Sequence, residues 1–166
     1  MEEIQSLITK YARKGIIVDT NILLLFFVGS TNRDRIKKFN RTEKFIPEDY
    51  DILVQLLEKF SLIVVTPNIL TEVNSFINQL GEPERGKCLL IFSKFIATEK
   101  FSEKYIESQN VVIQEEFVRF GLTDCGIVEA ARNQYLVLTE DFRFANNLHA
   151  LGIDTINFNN IRTLNW

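Results

Sequence analysis

Short apolar runs alternate along the chain with longer segments of helical periodicity. Three continuous runs, at residues 15–19, 62–66 and 135–139, predict strands buried on both faces, and a shorter one follows at 154–158. Between them, apolar spacing and helix end signals predict helices. The predicted helices cover residues 2–14, 20–28, 47–60, 68–80, 85–97, 102–120, 123–131 and 141–151.

Prolines mark two of the predicted boundaries. Pro47, with acidic residues after it, is typical of the first turn of a helix. Pro67 is expected to stop the second strand, and Asn68 or Thr71 is expected to cap the next helix. Residues 29–44 are polar and basic, and we expect an exposed loop or an irregular helix there.

Strands that alternate with helices predict an α/β fold of three layers, in which helices flank a central twisted parallel sheet. No repeat and no linker divides the sequence, so residues 1–166 are expected to form a single domain. Ligands of such sheets bind beyond the carboxyl ends of the strands. Residues that follow strands are therefore the first candidates for function.

The amino-acid composition and the net charge bear on the partners and the cellular location of the protein. Hydrophobic residues make up 46% of the chain, enough for a sizeable core, and the formal net charge is −3. A nucleic-acid partner would therefore need a local basic patch or metal ions. Two cysteines without C-x-x-C spacing, no secretion signal and no long apolar run predict a soluble cytoplasmic protein that does not associate with membranes.

Four acidic residues occupy positions where a parallel sheet places its active site. Asp19 ends the first strand, and Asp141 follows the strand at 135–139. Glu72 lies early in the helix after the second strand, and Asp124 begins the helix after Gly121. We expect these four carboxyl groups to meet at one edge of the sheet.

Each acid alone has an ordinary structural interpretation. Asp19, Asp124 and Asp141 are suited to capping helices, and Glu72 is suited to a solvated first turn. Together in one cleft they would repel one another unless cations or protons offset the charge. Hard divalent ions, Mg²⁺ or Mn²⁺, prefer oxygen ligands, activate water and stabilise charge that develops on a phosphodiester.

The segments around these acids resemble, in order, the four motifs of the PIN-domain ribonuclease family. They are VDTN at 18–21, LTEV at 70–73, TDCGIVEAA at 123–131 and LTED at 138–141. The resemblance covers nearly the whole chain. It implies a PIN-like fold, hydrolysis of RNA by an endonuclease, and a Mg²⁺ or Mn²⁺ site formed by Asp19, Glu72, Asp124 and Asp141.

The resemblance has further implications. Asn21 and Thr139 match positions that support the first and fourth acids by hydrogen bonding, while Glu140 stands beside Asp141 as a possible additional ligand. Compact bacterial members of this family act as toxins restrained by an antitoxin protein, and a homodimer is expected. The stretch between Asp19 and Glu72 is longer here than in the shortest members.

Other residues are candidates for contact with substrate. A basic cluster that includes Arg33, Arg35, Lys37 and Lys38 is expected near the catalytic edge, where it would guide an RNA backbone or form a solvated surface. Arg143 is a further candidate for a phosphate contact. The two phenylalanines beside it, at positions 142 and 144, are expected in the core rather than against bases.

Two other classes of function compete. A phosphoryl-accepting receiver or a haloacid-dehalogenase-like phosphatase also places an aspartate after its first strand. The phosphatase needs a second aspartate two residues later, where this chain has Asn21, and both need a lysine at a later strand end, where it has Thr139-Glu140-Asp141. The other class, a PIN-like module that binds a partner without catalysis, would usually lack one of the four acids.

Overall fold

A computed structural model describes residues 2–163 as an α/β protein. Each strand is followed by at least one helix, because each apolar run is followed by an amphipathic or buried helical segment. Their bounds are α1 (Glu2–Tyr11), β1 (Ile16–Val18), α2 (Thr20–Thr31), a 3-10 helix (Arg33–Lys38), α3 (Pro47–Leu57), β2 (Ile63–Val65), α4 (Pro67–Ile77), α5 (Glu84–Ile96), β3 (Phe101–Glu103), α6 (Ser108–Val112), α7 (Phe117–Ala131), β4 (Leu136–Thr139), α8 (Phe142–Ala150), β5 (Thr155–Asn157) and α9 (Phe158–Arg162).

The strands of the described residues form one parallel sheet in the order β3-β2-β1-β4-β5. The central strand β1 pairs Ile16 with Ile63 of β2 on one side and with Leu136 of β4 on the other. Every residue of β1, β2, β4 and β5 is buried. Continuous apolar strands suit this position because helices cover both faces of a parallel sheet.

The order in which successive strands are added to the sheet reverses at its middle, between β1 and β4. After β1 the chain moves outward to β2 and β3, whereas after β4 it moves outward in the other direction to β5. Right-handed crossovers place the helices of the two halves on opposite faces, which gives three layers consistent with a PIN-like fold. The carboxyl ends of β1 and β4 therefore flank a topological switch point, where α/β proteins bind ligands.

Helix α2 lies at the centre of the core. Its residues 22–29 are all buried, which is expected of a helix that is apolar on every side. Gly29 allows the ring of Tyr50 to approach the helix, since a side chain at Gly29 would overlap that ring. Within residues 2–163, no helix has the length and apolar character needed to cross a membrane.

The four predicted strands are confirmed, but the helix predicted at 102–120 is wrong. Residues 101–103 instead form the edge strand β3, whose Phe101 ring stacks near that of Phe27, and separate helices α6 and α7 follow. The cap of α4 is also different. Thr66 accepts the hydrogen bond from the backbone of Ile69, so Pro67 begins the helix and neither Asn68 nor Thr71 caps it. The short helix α9 was not predicted.

Candidate active site at the switch point

Asp19 lies at the carboxyl end of β1 and is 9% exposed. Its Oδ1 accepts a 2.7 Å hydrogen bond from the backbone N–H of Thr20, which caps α2, and its Oδ2 accepts a 2.6 Å bond from Thr139 Oγ1. Burial raises the pKa of Asp19 to about 6 although both hydrogen bonds lower it, and the negative charges of Glu140 and Glu72 raise it further.

Glu72 connects three helices through its carboxylate. Its Oε2 accepts a 2.8 Å hydrogen bond from Thr20 Oγ1 at the start of α2. Its Oε1 accepts a 2.6 Å bond from Thr123 Oγ1 in α7. Glu72 is therefore fixed between Asp19 and Asp124, because each of its threonine donors is next in sequence to one of those acids.

Asp124 has the most perturbed environment of the site. It lies in α7 just beyond Gly121, whose φ of 79° breaks the helix into two parts. Burial raises the pKa of Asp124 to about 8, with further raising by the charges of Asp19, Glu72 and Asp141. Asp124 thus lies within electrostatic reach of all three of the other acids predicted from sequence.

Asp141 caps α8 at the carboxyl end of β4. Its Oδ1 accepts a 3.0 Å hydrogen bond from the backbone of Phe144, and its own backbone N–H donates to Thr139 Oγ1 at 3.1 Å. Thr139 therefore donates to Asp19 and accepts from Asp141, so that one hydroxyl joins the two acids. The other predicted supporting residue, Asn21, donates to Glu140 at 2.8 Å rather than to Asp19.

The fold brings the four acids to one edge of the sheet, but their carboxyl groups do not converge on one point. Within residues 2–163, no three Asp, Glu, His or Cys side chains converge as ligands on one point. The oxygens of Asp19, Glu72 and Asp141 are directed instead to hydroxyl and backbone donors. The donor chemistry nevertheless fits Mg²⁺ or Mn²⁺, since carboxylate oxygens are the preferred ligands of hard divalent ions.

The basic residues predicted to contact substrate fall into two groups. Arg33 pairs with Asp51 of α3, and Arg35 pairs with Glu84 of α5. The others are exposed: Lys37 and Lys38 at the end of the 3-10 helix, and Arg143 two residues after Asp141.

The two phenylalanines beside Arg143 have opposite environments. Phe144 is fully buried in the core, as predicted, but the prediction for Phe142 is wrong, since Phe142 is 70% exposed. The first turn of α8 turns position 142 outward and position 144 toward the core, where the Phe144 ring contacts Phe120. The exposed aromatic ring of Phe142 therefore lies one residue from Asp141 in sequence.

The sequence did not predict the contacts that three residues make with the acids, although Thr20 and Thr123 stand in the motifs and Lys44 belongs to the basic cluster. Thr20 and Thr123 each precede or follow a predicted acid by one position, and that adjacency was the available signal. Lys44 pairs with Glu140, 96 residues away, and nothing local in the sequence indicates this contact.

The fold and the site define an α/β protein with a doubly wound parallel sheet and a cluster of carboxyl groups at its switch point. No protein-family model matches the chain, and neither does any curated protein or solved structure.

Proposed function

We propose that this chain is a metal-dependent endoribonuclease of the PIN type, which hydrolyses phosphodiester bonds of RNA at Asp19, Glu72, Asp124 and Asp141. One observation carries the proposal. Four acids from separate segments share the switch-point edge, where burial, together with the charges of the other three acids, raises the pKa of Asp124 to about 8. Repulsion among these acids lowers the stability of the folded state, and a divalent cation that prefers oxygen ligands would offset this loss.

The residues of the chain hold this site in position. Thr139 and the backbone of Thr20 orient the carboxyl group of Asp19, and the side chains of Thr20 and Thr123 orient that of Glu72. Burial and the neighbouring carboxylates favour the neutral form of the Asp124 carboxyl group. When bound, Mg²⁺ or Mn²⁺ would neutralise these carboxylates and stabilise charge that develops on the phosphodiester.

We further propose a cytoplasmic location, a homodimer and an antitoxin protein as partner. Cys88 and Cys125 are buried and unpaired, which suits the reducing environment of the cytoplasm. The resemblance to toxin-type members supports an antitoxin protein as partner and a homodimer as the assembly. A neighbouring gene for a small DNA-binding or disordered protein would support the antitoxin, and size-exclusion chromatography with light scattering would test the dimer.

Cleavage of single-stranded RNA in Mn²⁺ tests the reaction. We expect the wild type to cleave, and we expect excess EDTA or Asp19→Asn to abolish cleavage, because each removes part of the metal site. Asp34→Asn, which changes an exposed acid in the 3-10 helix, is the matched control and should keep full activity. Wild-type cleavage in EDTA would contradict the proposal, as would hydrolysis of phosphomonoesters without hydrolysis of RNA.

A second candidate is a PIN-like module that binds a partner without catalysis. The observation that favours it is that hydroxyl and backbone donors of the chain already engage the carboxylates of Asp19, Glu72 and Asp141. The two candidates differ in their response to metal. A catalytic site should bind Mn²⁺ and raise the thermal midpoint, whereas a binding module should show neither a shift nor RNA cleavage.

A further inference from the structure

Glu140 differs from the acids around it because a basic residue and an amide engage its carboxylate. Its Oε1 accepts a hydrogen bond from Nδ2 of Asn21 at 2.8 Å and an ion-pair contact from Nζ of Lys44. The Glu140 side chain is only 14% exposed, whereas that of Lys44 is 45% exposed. Lys44 therefore reaches the acid cluster from the surface and keeps contact with solvent.

The backbone around Lys44 is held by Arg162 of α9. One guanidinium nitrogen of Arg162 donates to the carbonyl oxygen of Lys44 at 3.0 Å. The same guanidinium contacts both carboxylate oxygens of Asp49, at 2.7 and 3.1 Å. Asp49 is buried and accepts a further bond from the backbone N–H of Ile46 at 2.9 Å. A two-point contact between a guanidinium and a carboxylate fixes geometry as well as charge.

The same short helix also holds Glu140. The side-chain amide of Asn159, one turn before Arg162, donates to the backbone carbonyl of Glu140 at 2.8 Å. Helix α9 thus donates hydrogen bonds to the backbone of both residues of the ion pair, Lys44 and Glu140. Their relative position is fixed before any ligand arrives, which lowers the entropic cost of binding one.

Lys44 is joined to the acids by a direct ion pair with Glu140. Across residues 2–163, it is the one basic side chain paired with an acid of the cluster at 19, 72, 124, 140 and 141. An ammonium group has three donors, and Glu140 takes one of them. Donors therefore remain for an oxygen of an incoming phosphodiester.

We propose that Lys44 binds a phosphate of single-stranded RNA at the switch-point site, and that Arg162 is the positioning residue that holds Lys44 there. This inference rests on the proposed ribonuclease function. It assigns Glu140 to orienting the lysine, together with Asn21, and it locates the path of the RNA backbone on the side of the site formed by residues 44–46.

Affinity measured against salt tests the contact. The full chain is titrated with fluorescein-labelled single-stranded RNA in EDTA, and binding is followed by anisotropy. We expect Lys44→Gln to weaken binding about two- to fivefold, the range that exposed ion pairs support. The slope of log affinity against log salt should flatten by roughly 0.7, the value for one phosphate of a single strand. Lys44→Arg should retain most of the affinity.

Lys59→Gln is the matched control. It removes the same charge from an exposed lysine just after α3, on the approach to the amino end of β2, and should leave affinity and slope unchanged. In Mn²⁺, Lys44→Gln should raise KM by about the same factor as it lowers affinity, with a smaller change in kcat.

The role of Arg162 is tested by coupling. Arg162→Lys keeps the charge but loses the two-point contact with Asp49, so it should weaken RNA binding in the wild type and have little further effect in the Lys44→Gln background. Equal losses in both backgrounds would overturn the positioning role, and measurements well below the thermal midpoint keep both variants folded.

Two outcomes separate this inference from the proposed function. A wild type that cleaves RNA, with Lys44→Gln equal to it in affinity, salt slope and KM, would overturn the role of Lys44 and leave the ribonuclease function standing. RNA binding that depends on Lys44, in a protein that cleaves no RNA with Mn²⁺, would support the lysine contact and overturn the ribonuclease function.

Discussion

Thr139 Oγ1 donates a 2.6 Å hydrogen bond to Oδ2 of Asp19, and this bond joins the carboxyl ends of the central strands β4 and β1. Both residues are buried, so water cannot replace the bond if it is lost. The same hydroxyl accepts from the backbone of Asp141. One threonine therefore fixes the relative position of two acids whose segments are more than a hundred residues apart in sequence.

Thr139→Val removes the hydroxyl with little change of shape and should destabilise the protein by about 1–3 kcal/mol, the cost of leaving a buried polar group without its partner. Urea unfolding measures this loss, and RNA cleavage should fall with it. Thr155→Val is the control, because Thr155 is a buried residue of the next strand whose hydroxyl donates to the backbone carbonyl of Ile153 rather than to an acid. Equal loss of cleavage in both variants would mean that the Thr139–Asp19 bond has no special role.

The two phenylalanines at the start of α8 give a paired prediction of stability. Phe144 is fully buried, so Phe144→Ala should cost about 3–5 kcal/mol through lost burial and a cavity. Phe142 is 70% exposed, so Phe142→Ala should change stability by less than about 0.5 kcal/mol. Urea unfolding of both variants measures the difference. Similar losses for the two would contradict the outward direction of Phe142.

Metal binding should distinguish Asp141 from Glu140. The carboxylate of Glu140 is engaged by Asn21 and Lys44, whereas the proposed site includes Asp141. Mn²⁺ should raise the thermal midpoint of the wild type by mass action, and should do so about equally in Glu140→Gln. The rise should be much smaller in Asp141→Ala. An equal rise in the wild type and Asp141→Ala would remove Asp141 from the proposed ligands.

The parts of this structure that follow from sequence are those with a local physical cause. Continuous apolar runs identified β1, β2 and β4, because strands buried on both faces carry few polar residues. The edge strand β3 has a mixed sequence, Phe-Ser-Glu, and only its pairing with β2 makes it a strand. Because the residues that follow β3 have helical spacing, the predicted helix was extended to include residues 102 and 103.

The site divides in the same way. The four acids were predicted as site residues because strand ends and helix starts have sequence signals. The donors that orient them, and the pair of Lys44 with Glu140, depend on which segments the sheet brings together. The helix that holds this pair, α9, is only five residues long, too short for helical periodicity to show. Lys44 therefore could not be separated by sequence from the other basic residues before it.

The ion pair of Asp154 with Lys10 gives a pH-dependent prediction away from the acids of the site. A 2.6 Å hydrogen bond from Lys10 lowers the pKa of Asp154, and one from Tyr11 lowers it further, although burial opposes both. A carboxyl group with a lowered pKa stabilises the fold above its unfolded value of about 3.9, and the stabilisation is lost as pH falls through the folded value.

Asp154→Asn should therefore lower the urea midpoint at pH 7, and the difference from wild type should shrink below about pH 4. Glu58→Gln, an exposed acid just after α3, is the control for general effects of charge. A difference between wild type and Asp154→Asn that is the same at pH 7 and pH 3 would show that the ionised form of Asp154 contributes nothing.

The basic segment can be divided into two pairs with different expected roles. Arg33 and Arg35 are already paired with acids of α3 and α5, so Arg33→Gln with Arg35→Gln should mainly reduce stability and change RNA affinity little. Lys37 and Lys38 are exposed, and if RNA passes over the segment, replacing both with Gln should flatten the salt slope by roughly 1.4, or 0.7 for each phosphate contact.

Anisotropy titrations of labelled single-stranded RNA at several salt concentrations measure both pairs, with Mn²⁺ affinity as a check that the site is intact. A salt slope equal to that of the wild type in the lysine pair would mean that RNA does not reach this segment. A flattened slope in the arginine pair alone would mean instead that RNA binding breaks the two ion pairs and takes the arginines as its own ligands.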